Sequence, residues 1–195
     1  MPNSLAGYRR TVELRVSHSM SPETPKQPHH VTFAIQTTGL TAWHGDRVIC
    51  ICAMDSRGGV FQESKLDEHE IIMGFLDWLF YRKQKDHFLL TRNGKLFHVP
   101  FLCARLELDS GLSRPEKEKR TKRLLSYEHL DLQEAVNKSD PRGELPSLLD
   151  ATPQSGDRKY ACRLFKKELY EKLVTYSMKS VTATEETFQK KNKGA

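Results

Sequence analysis

One strand, and the way it ends, constrains this chain most. In His30-Val31-Thr32-Phe33-Ala34-Ile35-Gln36-Thr37-Thr38-Gly39-Leu40, apolar Val31, Phe33 and Ile35 alternate with Thr32, Ala34 and Gln36. A period of two is the strand period, and successive side chains point to opposite faces. The apolar trio marks a core face, and Thr32, Ala34 and Gln36 share the other. Thr37-Thr38-Gly39 then stops the strand with residues that favour a turn. A strand of this kind needs a covering layer on its apolar side.

Similar runs follow. Strands are expected at 31–36, 47–53, 58–62 and 87–91, and around 127–132, with Gly58-Gly59 turning a hairpin between the second and third. Asp67 is placed to cap a helix running to about Lys83, with Ile71, Ile72, Phe75, Leu76, Leu79 and Phe80 on its apolar face. Trp78 on that helix is expected to pack at the core or its edge. Asn93-Gly94 signals a turn. Pro100 suits the first turn of a helix, where its missing N–H costs nothing, so His98 stands near that helix's start. Leu169, Leu173, Tyr176 and Ser180 have helical spacing, and Tyr176 and Ser180, four apart, share a face.

Strands interleaved with helices predict an α/β fold with a mixed central sheet of about five strands flanked by helices. The domain is expected to span 29–190. Residues 1–28 read as an N-terminal extension and linker, with an extra strand at 10–17 and then Pro22, Pro25 and Pro28. Asp140-Pro141-Arg142-Gly143 reads as a loop. Residues 191–195 read as a basic tail, and Lys190, Lys191 and Lys193 as disordered.

Three blocks carry a family resemblance. Phe33 to Leu40 stands where a pattern Phe-Asp-Ile-Glu-Thr-Thr-Gly-Leu would, with Ala34 and Gln36 at the acid positions. Asn93 to Phe101 stands where Asn-Gly-x-x-Phe-Asp-x-Pro-Phe would, with His98 at the acid. Tyr176 to Ser180 stands where Tyr-x-x-x-Asp would, with Ser180 at the acid. In these blocks the chain resembles the DEDD-type 3′–5′ exonucleases of the ribonuclease-H-like fold. It also resembles their tyrosine-bearing branch, which includes the proofreading domains of family B DNA polymerases. The resemblance implies a ribonuclease-H-like fold. Glu128-His129-Leu130-Asp131-Leu132 matches a further His-x-Asp-Leu segment of relatives, whose acid is not a metal ligand. Asp131 is expected to be a structural, hydrogen-bonding aspartate.

The family works with magnesium or manganese held by four acids. Two-metal hydrolysis needs two cations about 4 Å apart, and such hard ions take oxygen ligands, mostly carboxylates. Ala34, Gln36, His98 and Ser180 bring no carboxylate, and His98 suits zinc or nickel better than magnesium. No metal, no cofactor and no catalytic residue are expected, so the chain reads as a pseudo-exonuclease.

Without the acids the cleft no longer repels phosphate. The first functional reading is therefore a non-cleaving module that binds nucleic acid, expected to be single-stranded. Its candidate contacts are Thr37, Thr38, Gly39, Leu40, Arg92, Asn93, Lys95, Tyr176 and Lys179. The net charge of +6 favours an acidic partner. The most basic segment, Ser113 to Arg123, reads as a solvated loop or helix face lying where it could reach a strand entering the cleft. The second reading is an interaction protein that reuses the fold to bind or regulate another protein. A third, an active nuclease using His98, His44, Asp46 or Asp131, meets no familiar ligand spacing.

The four cysteines do not form a disulfide framework. Cys50 and Cys52 alternate on one strand, a C-x-C pair with poor zinc spacing, and are expected to be buried packing. No apolar stretch approaches a membrane span, and no secretory leader is apparent. A cytoplasmic address and no membrane contact are expected.

Overall fold

The computed structural model describes residues 29–82, 87–139 and 158–193. Among the described residues there are five strands: β1 His30–Thr37, β2 Val48–Asp55, β3 Val60–Glu63, β4 Phe88–Thr91 and β5 Glu128–Asp131. They lie in the order β3-β2-β1-β4-β5. β1 pairs antiparallel with β2, and β2 with β3. β4 runs parallel to both β1 and β5. The helices are α1 Glu68–Tyr81, α2 Val99–Leu108, α3 Arg114–Leu125, α4 Leu132–Ser139, α5 Arg158–Lys166 and α6 Tyr170–Lys193. This mixed five-stranded sheet with flanking helices is the expected α/β, ribonuclease-H-like architecture.

The period-two pattern of β1 sets the layers. Val31, Phe33 and Ile35 pack with Ile71, Phe75 and Leu79 of α1 and with Phe101 and Leu102 of α2. The opposite face carries Ala34, Cys50 and Cys52 against Ala161, Leu164 and Phe165 of α5 and Leu173 and Val181 of α6. Helices thus cover both sheet faces, and all eight β1 residues are buried. Trp78 packs against the first core, as expected.

Local chemistry explains the boundaries. The Asp67 carboxylate accepts from His69 N at 2.8 Å and Glu70 N at 3.4 Å, starting α1 as an N-cap should. The β2–β3 turn closes on Asp55, whose Oδ1 accepts from Arg57 N and Gly59 N. Gly58 there has a φ of +87°, a left-handed value that favours glycine. Ser113 and Glu116 form a reciprocal capping box at α3.

Two expectations fall outside the described residues: the strand at 10–17, with the linker after it, and the loop at Asp140 to Gly143. One is corrected. Lys190, Lys191 and Lys193 continue α6 rather than forming a disordered tail. No proline or glycine interrupts the sequence from Tyr170 to Lys193, and Phe188 anchors the last turns beside Leu90 and Leu132.

Candidate nucleic-acid interface

The four acid positions do not open onto a common groove. Ala34 is 6% exposed and Gln36 5%. Ala34 lies in the apolar layer beneath α5 and α6. His98 is equally enclosed, its ring 5.7 Å from that of Phe33 and 5.8 Å from that of Phe97. Its Nδ1 is buried with no hydrogen-bond partner among the described residues. Burial holds the imidazole down at about 4, against a smaller upward pull from Asp131, so it is neutral at pH 7. Ser180 is half-buried on α6. The helix turns Ser177, not Ser180, into the sheet, because Leu173, Ser177 and Val181 lie on its inner face. These residues do not fit a pair of hard divalent cations. An apolar methyl, an amide, a neutral imidazole and a hydroxyl supply no carboxylate.

The residues that frame these positions have structural partners. Thr37 is buried, and its hydroxyl donates to Gly39 O at 2.5 Å. Its side chain is turned inward. Thr38 Oγ1 accepts from Arg47 N at 3.0 Å and donates to Asp46 Oδ1 at 3.3 Å. Asp46 Oδ2 also accepts from Thr41 N. A Cβ on Gly39 would lie 2.0 Å from that carboxylate, so only glycine fits. Leu40, by contrast, is 66% exposed, and Trp43 on the following turn is 59% exposed.

In the second frame Asp131 accepts from the backbone N–H groups of Asn93, Lys95 and Gln133, at 2.8–3.0 Å. It is the structural aspartate expected. Asn93 has a φ of +61°, a conformation asparagine tolerates. Lys95 pairs with Glu134 at 2.7 Å. Arg92 is half-buried and Asn93 exposed at the end of β4.

A feature the sequence reading missed dominates this end of the sheet. α5 places Ala161, Leu164 and Phe165 over Ala34 and Cys50. The Cys162 thiol donates weakly to the carbonyls of Thr37 and Thr38, so α5 sits directly against the Thr-Thr-Gly turn. The outer face carries Arg158, Lys159, Arg163 and Lys166, with Lys167 just past the helix end, all exposed, and α5 contains no acid. Tyr160 on α5 meets Tyr176 on α6 edge to face, 5.2 Å between centroids. Arg163 lies 5.8 Å from the Tyr160 ring and Arg47 5.2 Å from that of Phe165. Lys179 is exposed further along α6, lining a groove with Gln62 of β3. The clue in the sequence was apolar 161, 164 and 165 at i, i+3, i+4 within a run otherwise rich in Lys and Arg.

The basic segment singled out in the sequence lies elsewhere. It forms α3 and packs on the α1 side of the sheet, opposite α5. Its charges are largely engaged there. Arg120 pairs with Asp77 at 2.7 Å, and Arg114 with Glu118 at 3.0 Å. Arg123 donates to Phe80 O and Lys117 to Glu107 O. It does not overhang the acid positions.

No family model matches the chain, and no curated protein matches its sequence. Among solved structures it is similar to the family B DNA polymerase from the hyperthermophilic archaeon Pyrobaculum calidifontis. The TM-score is 0.64 over 86% of this chain, at 16% sequence identity. This chain spans 25% of the length of that polymerase chain. At such identity the likeness is one of fold. The chain has the ribonuclease-H-like fold, at the distance of a remote structural relation to that polymerase.

Proposed function

We propose that this chain is a non-cleaving, exonuclease-like module that binds single-stranded nucleic acid on the outer face of α5. One observation carries the reading. The helix that fills the space over Ala34 with apolar side chains also turns four cations outward, beside a tyrosine pair. Cations along a helix neutralise phosphates, and aromatic faces stack on unpaired bases whatever their sequence. Leu40 and Trp43, exposed next to the same turn, extend the apolar rim. The strand therefore runs over α5, not down into the former metal site. Thr38, Leu40, Tyr176 and Lys179 remain candidate contacts, while Thr37 and Gly39 serve the turn.

Cleavage is not part of the proposal. The residues at the four acid positions bring an amide oxygen and a hydroxyl but no carboxylate to match two divalent charges, so no step through a metal is assigned. A second reading, a regulatory protein surface, draws on the burial of Ala34, Gln36 and His98, which leaves no open cleft there. Charge reversal separates the two. Arg158→Glu with Lys159→Glu and Lys166→Glu should weaken binding of a single-stranded oligonucleotide at least ten-fold at low salt. Lys119→Glu with Lys122→Glu on α3 should leave it unchanged. Equal loss from both sets would mean non-specific attraction, and no loss from the α5 set would sink the assignment.

A further inference from the structure

β3 is the end strand of the sheet, and among the described residues it pairs with β2 alone. At the β2–β3 turn Asp55 N donates to Gly59 O at 2.8 Å. Bonded and non-bonded pairs alternate along an antiparallel ladder, so Phe61 and Glu63 turn their backbone groups toward β2. The N–H and C=O groups of Val60 and Gln62 therefore point outward. An open row of this kind is a template for a further strand. The two faces beside it differ. On the α1 side Phe61 packs against Phe75 and Trp78, and Arg82 lies over Trp78. On the α6 side a groove of about 470 Å³ runs between Gln62 and Val174, Met178 and Thr182. Val60, on the same face as Gln62, is 47% exposed.

We propose that the open edge of β3 is the docking site of this chain's own N-terminal segment 10–17, which adds to it as an antiparallel strand with Val12, Leu14 and Val16 over the α6-side groove. Two observations select this occupant. The first is where the chain enters the sheet. His30 N donates to Ser56 Oγ, His30 O accepts from Ser56 N, and the Arg57 guanidinium lies 2.8 Å from the His29 ring. The start of β1 is thus held at the β2–β3 turn, the turn from which β3 itself sets out. Residues 18–28 reach up to roughly 36 Å when extended. A strand beyond β3 lies only three strand spacings from β1, roughly 14 Å. By the shorter path the segment runs toward the turn, and is therefore antiparallel to β3. The second observation is the pattern. Val12, Leu14 and Val16 alternate with Thr11, Glu13, Arg15 and Ser17, giving one apolar and one polar face. The apolar face matches the groove lined by Val174 and Met178. The polar face falls on the α1 side, where Phe61 is already packed and Glu63 pairs with Lys65 at 3.1 Å. With the segment in place, the edge is closed to pairing with other molecules. The inference is independent of nucleic-acid binding.

The test is amide hydrogen exchange of the full chain, read by NMR at two protein concentrations. After correction for intrinsic rates, the amides of Leu14 and Val16 should exchange roughly ten-fold more slowly than those of Glu13 and Arg15, the alternation of a strand paired on one edge. The Gln62 amide should be protected to the same degree at both concentrations. Leu14→Asp places a charge in the groove and should speed exchange at Val16 and Gln62 roughly ten-fold, with the α1 amides unchanged. Val16→Pro removes a ladder N–H and should free Gln62 likewise. Leu5→Asp, outside the segment, should match the wild type. Absence of protection at Leu14 and Val16 would overturn the inference. So would protection of Gln62 that survives both segment variants, or that rises with protein concentration, the mark of a second copy on the edge.

Discussion

Two residues show how far the sequence carries. His98 stands where the resemblance places an acid, and its replacement of an acid was readable. That it would be a buried, neutral ring between Phe33 and Phe97 was not, since enclosure depends on side chains distant in sequence. The consequence is a pH dependence. His98 titrates near its ordinary 6.5 when unfolded and at about 4 in the fold. Between these values the unfolded chain takes up a proton that the folded chain does not. Stability therefore falls as pH drops from about 6.5 to about 4, by on the order of 3 kcal/mol in all. In urea titrations at pH 5, His98→Phe should be more stable than the wild type, with the gap narrowing above pH 7. Gly39 gives a second expectation. Gly39→Ala should cost roughly 1–3 kcal/mol because its Cβ meets the Asp46 carboxylate. Adding Asp46→Ala should recover part of that loss, a non-additivity that a double-mutant cycle measures. The turn was legible as Thr-Thr-Gly. Its cause, a carboxylate seven residues downstream, was not.

The strands and α1 were legible because each pairs a clear period with a terminator. Period two with a Gly-Gly turn marks β2 and β3, and Asp67 caps a helical stripe. α5 was missed because its nine residues make a short helix, and its apolar positions acquire meaning only against Ala34 and Cys50. α6 was legible in its first half, from the spacing of Leu169, Leu173, Tyr176 and Ser180, but that spacing did not say which side meets the sheet. Ser177 and Glu185 face the sheet. Glu185 ties that helix to β1. It accepts from His30 Nε2 at 2.8 Å, Thr32 Oγ1 at 2.6 Å and Gln189 Nε2 at 2.8 Å. Burial pushes its carboxyl up, but these hydrogen bonds together outweigh it and hold it at about 2. The stability it contributes is present above pH 4.5 and is lost as pH falls toward 2. Glu185→Gln should cost roughly 1–3 kcal/mol at pH 7 and flatten that acid limb. Amide exchange should quicken in the second half of α6, with α1 unaffected.

At the scale of the whole molecule, the distribution of charge matters more than its sum. The net +6 did not say where a partner binds, and the densest basic run in the sequence proved to be a packing helix on the far face. α5, with fewer charges but no acid, stands beside the turn that the resemblance marks. A strand engaging about four of its cations should bind with a log–log salt slope of roughly −3. Lowered slope and affinity in the α5 variant would tie that electrostatic term to the helix.

The central claim is binding without cutting. Its direct measurement is fluorescence anisotropy of a labelled single-stranded oligonucleotide at low salt, with chelator and again with manganese, each sample then run on a denaturing gel. Saturable binding of equal strength is expected in both, with an intact oligonucleotide throughout. Absence of binding at low salt, or release of nucleotides with manganese, would contradict it.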